Sequence, residues 1–362
     1  MDHFIPTSEA ARRLGVKPAT LYAYVSRGLL RSIRQPGQQE SLFDRLEIEQ
    51  LGRSNSSARR ESPNLLRFRA VITQVSRMDE GNLYLRGHAI DELCGRVTFL
   101  DAARLVLSRP QAGVHRFKLT PAEHRLVQAL PLNRRLPVAV ALLGASDPER
   151  ASLDPDRHAG LSLGLIELAS GLAESGIGLA DPLVQALLVC LIDNGLAAST
   201  TAARVAASAR AGWYDAQSAG LAALAGQLHG TAPVEARALL RDVLHGRAVS
   251  NAIRQREDTL GHLPGFGHMI YRGDDPRARA LMSLVQSNGM GARELGALHA
   301  IQSVVQRPLN VDGISAVICE ALGLPDLAGE FLFQLSRTVG ITAHVLEEYQ
   351  EAPLRWRATS AG

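Results

Sequence analysis

The spacing of apolar residues constrains this chain most, because they recur every three or four positions through most of its length. Segments such as LDAARLVLSR, AEHRLVQAL, DPLVQALLVCLIDNG, AQSAGLAALAGQL and ELGALHAIQSVVQ follow this helical period. Aromatic residues make up only 4% of the chain and β-branched runs are short, which disfavours extensive sheet. One stretch, LLRFRAVITQVSRM followed by NLYLRG, predicts a small hairpin instead. The fold is therefore predicted to be mainly α.

A polar segment without apolar periodicity, GRSNSSARRESPN at residues 52–64, divides the chain. It predicts a linker between a head (residues 1–51) and a body (residues 65–362). Charge divides near the same place, because the first 60 residues hold ten Lys and Arg against six Asp and Glu, whereas the rest holds 29 against 30. An anionic partner is therefore expected for the head alone.

The head has the pattern of two helices joined by a tight turn. Thr7 is placed to cap a first helix that Gly15 ends, and Pro18 suits the first turn of a second helix. The segment LLRSIRQPGQQESLF then predicts a two-stranded wing with its turn at Pro36 and Gly37, and DRLEIEQL predicts a third helix.

This head resembles the winged helix-turn-helix of MerR and excisionase-type proteins. The resemblance implies a reading helix that carries Thr20, Tyr22 and Tyr24, and phosphate-facing arginines at Arg27, Arg31 and Arg34. Helix pairs of this kind also serve as dimerisation or docking modules, so binding to duplex DNA and a purely structural role both stay open.

Several classes of protein are disfavoured by the sequence. No apolar stretch is long enough, without charges, to cross a bilayer, and MDHFIPTSEAARR lacks the layout of a secretory signal. Cys94, Cys190 and Cys319 lie far apart in apolar runs, which predicts buried reduced thiols rather than disulfides or metal ligands. We therefore expect a cytoplasmic protein with no metal site.

Three segments combine ionisable groups with glycines in ways that core packing does not require. GQLHGTAPVEA contains His229, PGFGHMIYRGDDPRARAL contains His268 and Arg277, and RPLNVDGISAVICEALGLP contains Asp312. Taken singly, each has a structural explanation, such as a loop histidine or an aspartate that caps a helix. Their order and spacing, however, resemble the citrate synthase family, as do LYLRGHAIDEL, DNGLAASTTAARVAAS and SRTVGITAHVLEE.

The resemblance covers residues 65–362 and implies a two-domain helical fold. A small subdomain at about residues 232–335 would be inserted in a larger one, and the chain would form a homodimer. It also implies an acyltransferase that condenses acetyl-CoA, or a close acyl-CoA, with oxaloacetate or a similar 2-oxoacid. Coenzyme A thioester would be a substrate, and no cofactor would stay bound permanently.

Formation of a carbon–carbon bond at the methyl group of an acyl-CoA explains why such residues are needed. The methyl proton is very weakly acidic, so a base must act while the enol oxygen is stabilised. By resemblance Asp312 is the base, His229 donates to the thioester oxygen, and His268 polarises the acceptor ketone.

The remaining site residues follow from the same resemblance. Guanidinium groups suit the carboxylates of a 2-oxoacid, and coenzyme A would be held next to the glycine turn. The implied 2-oxoacid contacts are Asn194, Arg277, Arg337 and Arg355, the last acting across the dimer interface with Arg357 as a rival; the implied coenzyme A contacts are Gly265, Phe266, Gly267 and Arg272.

The chain departs from the family pattern where the acceptor would bind. Asn194 stands where the family has histidine, Ala197 where it has asparagine, and Thr231 and Pro233 alter the segment after His229. Slower citrate synthesis, another 2-oxoacid or acyl-CoA, cleavage of a citryl-type thioester and lost activity all stay open. A metabolite-sensing DNA-binding regulator that retains the fold is the alternative to an active enzyme.

Overall fold

The computed structural model describes residues 4–26, 29–33, 40–45, 47–48, 51, 66–67, 71–357 and 359–360. The chain divides into two compact units, residues 1–68 with 358–362, and residues 69–357. The predicted linker at residues 52–64 lies outside the described residues. The predicted domain limits therefore remain a prediction.

The first unit contains the two helices and the tight turn expected between them. Helix α1 spans Thr7–Leu14 and helix α2 spans Pro18–Ser26. Gly15 adopts the left-handed conformation (φ 62°), and its amide donates to the carbonyl groups of Ala11 and Arg12. Thr7 was wrongly placed as the cap, because Pro6 is the N-cap and Thr7 Oγ1 instead donates to Ser41 O at 2.9 Å.

A small antiparallel sheet accompanies these helices, with strand order β1-β3-β2. Its strands are β1 (Phe4–Pro6), β2 (Ser32–Ile33) and β3 (Leu42–Asp44). Strands β2 and β3 correspond to the expected wing, and β1 is a strand that the sequence did not indicate. Strand β4 (Leu66–Arg67) pairs with β8 (Thr359–Ser360) in the same unit. The expected turn at Pro36 and Gly37, together with Arg27 and Arg34, lies outside the described residues.

The first unit has its own hydrophobic core. Its buried members are Ile5, Ala10, Ala11, Leu21, Leu30, Phe43 and Ile48. Tyr24 packs against this core, whereas Tyr22 is 45% exposed and lies edge-on to Phe43. Only one of the two tyrosines expected on the reading helix therefore presents much of its surface to solvent.

The second unit begins with the predicted hairpin and continues as helices. Strands β5 (Ser76–Asp79), β6 (Asn82–Leu85) and β7 (His88–Ala89) form one antiparallel sheet. The helices are α3 (Ile90–Leu93), α4 (Phe99–Leu107), α5 (Pro121–Gln128), α6 (Leu132–Ser146), α7 (Pro155–Leu172), α8 (Pro182–Leu191), α9 (Ala198–Ser208), α10 (Trp213–Leu224), α11 (Ala232–Leu244), α12 (Val249–Leu260), α13 (Pro276–Asn288), α14 (Ala292–Val305), α15 (Val311–Ala321) and α16 (Ala328–Tyr349). The mainly helical fold is confirmed.

Several helices begin at an aspartate followed by proline. Asp154, Asp181 and Asp275 each accept backbone N–H groups at the starts of α7, α8 and α13, and the next residue is the proline of the first turn. An acidic cap satisfies amides that lack helical partners, and proline needs no N–H partner there. These local signals fix where the helices start.

Helix α16 lies at the centre of this unit and is buried except at Glu347 and Tyr349. A side chain at Gly340 would meet the carbonyl oxygen of Ile192 at 2.1 Å, so glycine is needed for this close approach. Arg337 and His344 are carried into the interior on the same helix. The centre of the unit is therefore polar as well as apolar.

The three cysteines are free and buried, as predicted. Within the part of the chain that the structure describes, no helix is both long and apolar enough to span a membrane.

Candidate active site

The GFGH segment and the NVDG segment lie side by side, although they are about forty residues apart in sequence. Gly267 N donates to Pro308 O at 2.7 Å, and Asn310 N donates to Gly265 O at 3.1 Å. Asn310 Nδ2 also donates to Gly267 O at 2.9 Å. Gly265 has a φ of 87°, and a Cβ there would lie 3.1 Å from Gly313 Cα. This hydrogen-bonded pair of segments brings the stretch that ends in His268 next to the start of helix α15.

Asp312 lies in the first turn of α15 but does not cap it. Asn310 is the cap, and its Oδ1 accepts from the backbone N–H groups of Asp312 (3.0 Å) and Gly313 (3.3 Å). Asp312 Oδ1 is buried and lacks a hydrogen-bond partner among the described residues. Burial raises the pKa of Asp312 to about 7 against the opposing charge of Arg277. A carboxylate with an unused oxygen and a raised pKa is equipped to accept a proton.

His229 lies in the loop between α10 and α11. Its Nε2 is 2.9 Å from Ser199 Oγ, and its ring stands edge-on to Phe333 with centroids 5.5 Å apart. Burial, followed by the charges of Arg337 and Arg277, lowers its pKa to about 3. The imidazole is therefore neutral at pH 7. Ser199 was missed, because only the fold reveals that it lies beside His229.

His268 follows the glycine turn and is also neutral. Ile270 N donates to His268 Nδ1 at 3.1 Å, and the ring of Tyr271 lies tilted over it at 4.6 Å. Burial and the charge of Arg277 lower the pKa of His268 to about 4. Two uncharged imidazoles and one carboxylate are thus close to the same arginines.

The two predicted arginines on α13 and α16 are both buried but are held differently. Arg277 makes a two-bond contact with Asp275, with Nε–Oδ1 at 2.9 Å and Nη2–Oδ2 at 2.6 Å. Arg337 lies over the Phe333 ring at 5.0 Å, and its Nε donates to Leu191 O at 3.2 Å. Burial lowers the pKa of Arg337 to about 10, so it stays charged at pH 7.

Arg337 keeps an unused donor. Its Nη1 is buried without a hydrogen-bond partner among the described residues and is 3.8 Å from Asp193 Oδ1. Asp193 Oδ2 is already bonded to Ser76 Oγ at 2.5 Å and His344 Nε2 at 3.0 Å. The guanidinium group therefore has capacity for a ligand carboxylate.

Asn194, which the sequence predicts to contact the 2-oxoacid, lies beside His268. The side chain of Asn194 is buried, with Nδ2 at 3.4 Å from His268 Nε2. Its Oδ1 accepts from the hydroxyl of Tyr271 at 2.5 Å. The sequence assigned no role to Tyr271, because its contact with Asn194 spans 77 positions of sequence.

Two predicted residues are not brought into this cluster. Arg355 binds Glu348 of its own chain, with Nε–Oε1 and Nη2–Oε2 both at 2.7 Å. Its predicted role in a neighbouring subunit stays a prediction. Arg272 is exposed and has no hydrogen bond or ion pair with any residue that the structure describes. Phe266 is buried, and its backbone pairs with Leu309.

The chemistry available to this cluster is proton transfer and polarisation of carbonyl groups. No group of three or more His, Cys, Asp or Glu residues in the described part of the chain could hold a metal ion. The groups that remain are Asp312 with its unpartnered Oδ1, two neutral imidazoles and two buried guanidinium groups. Such a set can remove a carbon-bound proton next to a carbonyl group and hold the charge that develops.

The chain is similar in sequence to citrate synthases. The family model described as citrate synthase, C-terminal domain, matches residues 112–358. A citrate synthase of Saccharolobus solfataricus is 33% identical over 189 residues, which are 48% of this chain and 50% of that protein. The chain thus spans about half the length of this curated relative.

Solved structures share the fold. The citrate synthase of Thermotoga maritima superposes with a TM-score of 0.65 at 20% identity, covering 81% of this chain and 93% of that one. The Thermoplasma acidophilum citrate synthase, solved in ternary complex with carboxymethyl coenzyme A and oxaloacetate, also has a TM-score of 0.65 at 20% identity, covering 79% and 92%.

Proposed function

The chain belongs to the citrate synthase family, and on that premise we propose that it condenses an acyl-CoA with a 2-oxoacid and releases coenzyme A. Acetyl-CoA and oxaloacetate are the reference pair, giving citrate and coenzyme A with consumption of one water. The observation that carries the proposal is Asp312, a half-buried aspartate whose Oδ1 is buried without a partner among the described residues and whose pKa is raised to about 7. It is accompanied by two neutral histidines and two buried arginines.

The first step is enolisation of the acyl-CoA. Asp312 removes the methyl proton, and the thioester oxygen accepts a hydrogen bond from His229. Because Ser199 Oγ lies at 2.9 Å from Nε2, a donating hydroxyl would keep the imidazole proton on Nδ1. His229 then presents an N–H to the developing enolate oxygen without carrying a positive charge.

The second step forms the carbon–carbon bond. The enolate carbon attacks the ketone carbon of the 2-oxoacid while His268 donates a hydrogen bond to the ketone oxygen. That oxygen becomes a hydroxyl by taking up one proton, which balances the proton that Asp312 removed. Arg277 and the unused donor of Arg337 hold the carboxylates of the 2-oxoacid. Water then cleaves the thioester bond, so the acyl carbon becomes a carboxylate and coenzyme A leaves as the thiol.

The test is release of free thiol from acetyl-CoA on addition of oxaloacetate, followed by a panel of acyl-CoA and 2-oxoacid pairs. Absence of thiol release with every pair, from folded protein, would contradict condensation. Coenzyme A-dependent cleavage of a citryl thioester would instead assign the reverse direction. Asn194 stands where the family has a histidine. We therefore expect this chain to differ in its preferred 2-oxoacid from synthases that condense acetyl-CoA with oxaloacetate.

We further propose that the head binds duplex DNA, which is compatible with condensation in the same molecule. Support comes from α1, the Gly15 turn and α2 beside a three-stranded sheet, and from the excess of positive charge in residues 1–60. A homodimer would present two such units to a two-fold-symmetric site.

The test is a gel-shift series at increasing salt with the full chain. Lys17 is exposed in the turn before α2, and Lys118 is exposed in the other unit. Lys17→Glu should weaken DNA binding and reduce the salt dependence, whereas Lys118→Glu should not. Binding that is absent, or unaffected by both substitutions, would count against DNA recognition and favour a docking role.

A further inference from the structure

The amide of Asn194 has a defined orientation. Its Oδ1 lies 2.5 Å from the hydroxyl of Tyr271, and its Nδ2 lies 3.4 Å from His268 Nε2. A separation of 2.5 Å suits an O–H···O bond and is too short for an N–H···O bond. The oxygen of the amide therefore faces Tyr271, and its NH₂ group faces His268.

The proton of the His268 imidazole also has a defined position. The backbone N–H of Ile270, which can only donate, points at His268 Nδ1 at 3.1 Å. Nδ1 must therefore be unprotonated, so the neutral ring carries its proton on Nε2. The 3.4 Å contact between His268 Nε2 and Asn194 Nδ2 consequently joins two donors, neither of which satisfies the other.

We propose that Asn194 Nδ2 and His268 Nε2 form a two-donor site for the ketone oxygen of the acceptor, and that Tyr271 is the positioning residue that keeps the pair open. This inference rests on the proposed condensation and specifies how its acceptor is polarised. A carbonyl oxygen has two lone pairs, so it accepts both hydrogen bonds at once. Fixed donors at a developing alkoxide need no reorganisation during the reaction.

Tyr271 is needed because the donor pair has a competing arrangement. If the Asn194 amide turned by half a rotation, its Oδ1 would accept from His268 Nε2–H and remove both donors from the ligand. The hydroxyl of Tyr271 opposes this rotation by donating to Oδ1. Asn194 and Tyr271 are each 7% exposed, so water competes little for the same atoms.

The experiment uses the full chain with Tyr271→Phe and, as the matched control, Tyr214→Phe. The hydroxyl of Tyr214 donates to Asp147 Oδ2 at 2.8 Å, away from the residues of the site. Calorimetric titration with oxaloacetate should show about tenfold weaker binding for Tyr271→Phe, which corresponds to loss of about one hydrogen bond. In Tyr271→Phe the KM for acetyl-CoA should stay unchanged. In Tyr214→Phe the affinity for oxaloacetate should stay unchanged.

A second measurement does not depend on turnover. In the ¹⁵N-histidine-labelled chain, the His268 resonances are assigned by their disappearance in His268→Gln. Tyr271→Phe should shift the Nε2 resonance as this N–H gains an amide acceptor, whereas Nδ1 should stay unprotonated. Unchanged ¹⁵N resonances together with unchanged oxaloacetate affinity would overturn the inference.

A second variant keeps the inference testable if Tyr271→Phe fails to fold. Asn194→Asp replaces the donor by a second acceptor of the same shape, so it should abolish oxaloacetate binding and raise the pKa of His268. Oxaloacetate binding equal to that of the wild type would overturn the donor role of Asn194. A wild-type chain that binds oxaloacetate through this pair but releases no thiol would contradict the condensation and support the donor pair.

Discussion

Two buried arginines on neighbouring helices differ in how fully their guanidinium groups are paired. Arg204 on α9 donates to Glu348 Oε2 and Glu347 Oε2, both at 2.9 Å, and contacts His344 Nδ1 at 2.8 Å. Arg337 on α16 has one carbonyl partner through Nε, and its nearest carboxylate oxygen is 3.8 Å away. Both side chains are fully buried.

The difference separates structure from function. The guanidinium group of Arg204 is paired with two carboxylates on α16, and these ion pairs hold α9 against α16. Its Nη2 has no partner among the described residues. Arg337 and Asp312 each keep a buried polar atom without a partner among the described residues, and the proposed Asn194–His268 pair keeps two donors for a ligand. Buried polar groups are normally satisfied, so a cluster of unsatisfied ones indicates where a ligand completes the structure. His344 joins the two regions, because it contacts both Arg204 and Asp193.

The largest effect should come from removing the unsatisfied carboxylate. Asp312→Asn cannot accept the methyl proton, so we expect kcat to fall by about 10²–10⁴-fold, as for loss of a general base. Thiol release measured under saturating acetyl-CoA checks this. Asp326→Asn removes an exposed carboxylate that pairs with Arg241 and should leave turnover unchanged. Retention of full activity by Asp312→Asn would remove it from the mechanism.

Breaking the satisfied network should act on stability instead. Arg204→Met leaves Glu347 and Glu348 without their buried partner, so we expect the free energy of unfolding to fall by about 3–5 kcal/mol. Arg241→Met removes two partly exposed ion pairs, with Glu320 and Asp326, and should cost about 1 kcal/mol or less. Urea unfolding of both variants gives the comparison, and equal losses would mean that Arg204 contributes no more than a surface pair.

A smaller effect is expected from the residue that orients His229. Ser199→Ala removes the hydroxyl next to Nε2 and leaves the imidazole free to change tautomer. We expect kcat to fall about tenfold, equivalent to one hydrogen bond, with little change in stability. Ser218→Ala removes a hydroxyl that donates to Tyr214 O and serves as the control. Equal kcat values for the two variants would show that Ser199 does not orient His229.

The last prediction concerns a slope, the pH dependence of stability. His229 and His268 have folded-state pKa values of about 3 and about 4, below their ordinary value of 6.5, so both make stability rise with pH up to about 6.5. Asp312, with a folded-state pKa of about 7 against an ordinary 3.8, makes stability fall as pH rises through the same window. Asp312→Asn should therefore steepen the rise by up to about 1.4 kcal/mol per pH unit between pH 4 and 6.5. Urea unfolding at several pH values measures both slopes, and parallel slopes would contradict the raised pKa.

The sequence predicted the elements and motifs better than the contacts between them. Apolar periodicity is local, which is why the helices and the hairpin could be predicted. The pairing of Ser199 with His229, and of Tyr271 with Asn194, depends on chain segments that only the packed fold brings together. Glu348 likewise binds Arg355 because α16 ends where the chain turns back, which no local motif indicates.

The pairing of residues 265–267 with 308–310 has a mechanical consequence. In the proposed mechanism, the base and the group that polarises the ketone both adjoin one short set of hydrogen bonds, whereas His229 stands on a separate loop. In that mechanism, a shift of the His229 loop would alter the contact with the thioester without breaking the hydrogen bonds between residues 265–267 and 308–310. Under the proposed mechanism, the preference for the acyl group would therefore be able to change while the segments that carry Asp312 and His268 stay paired.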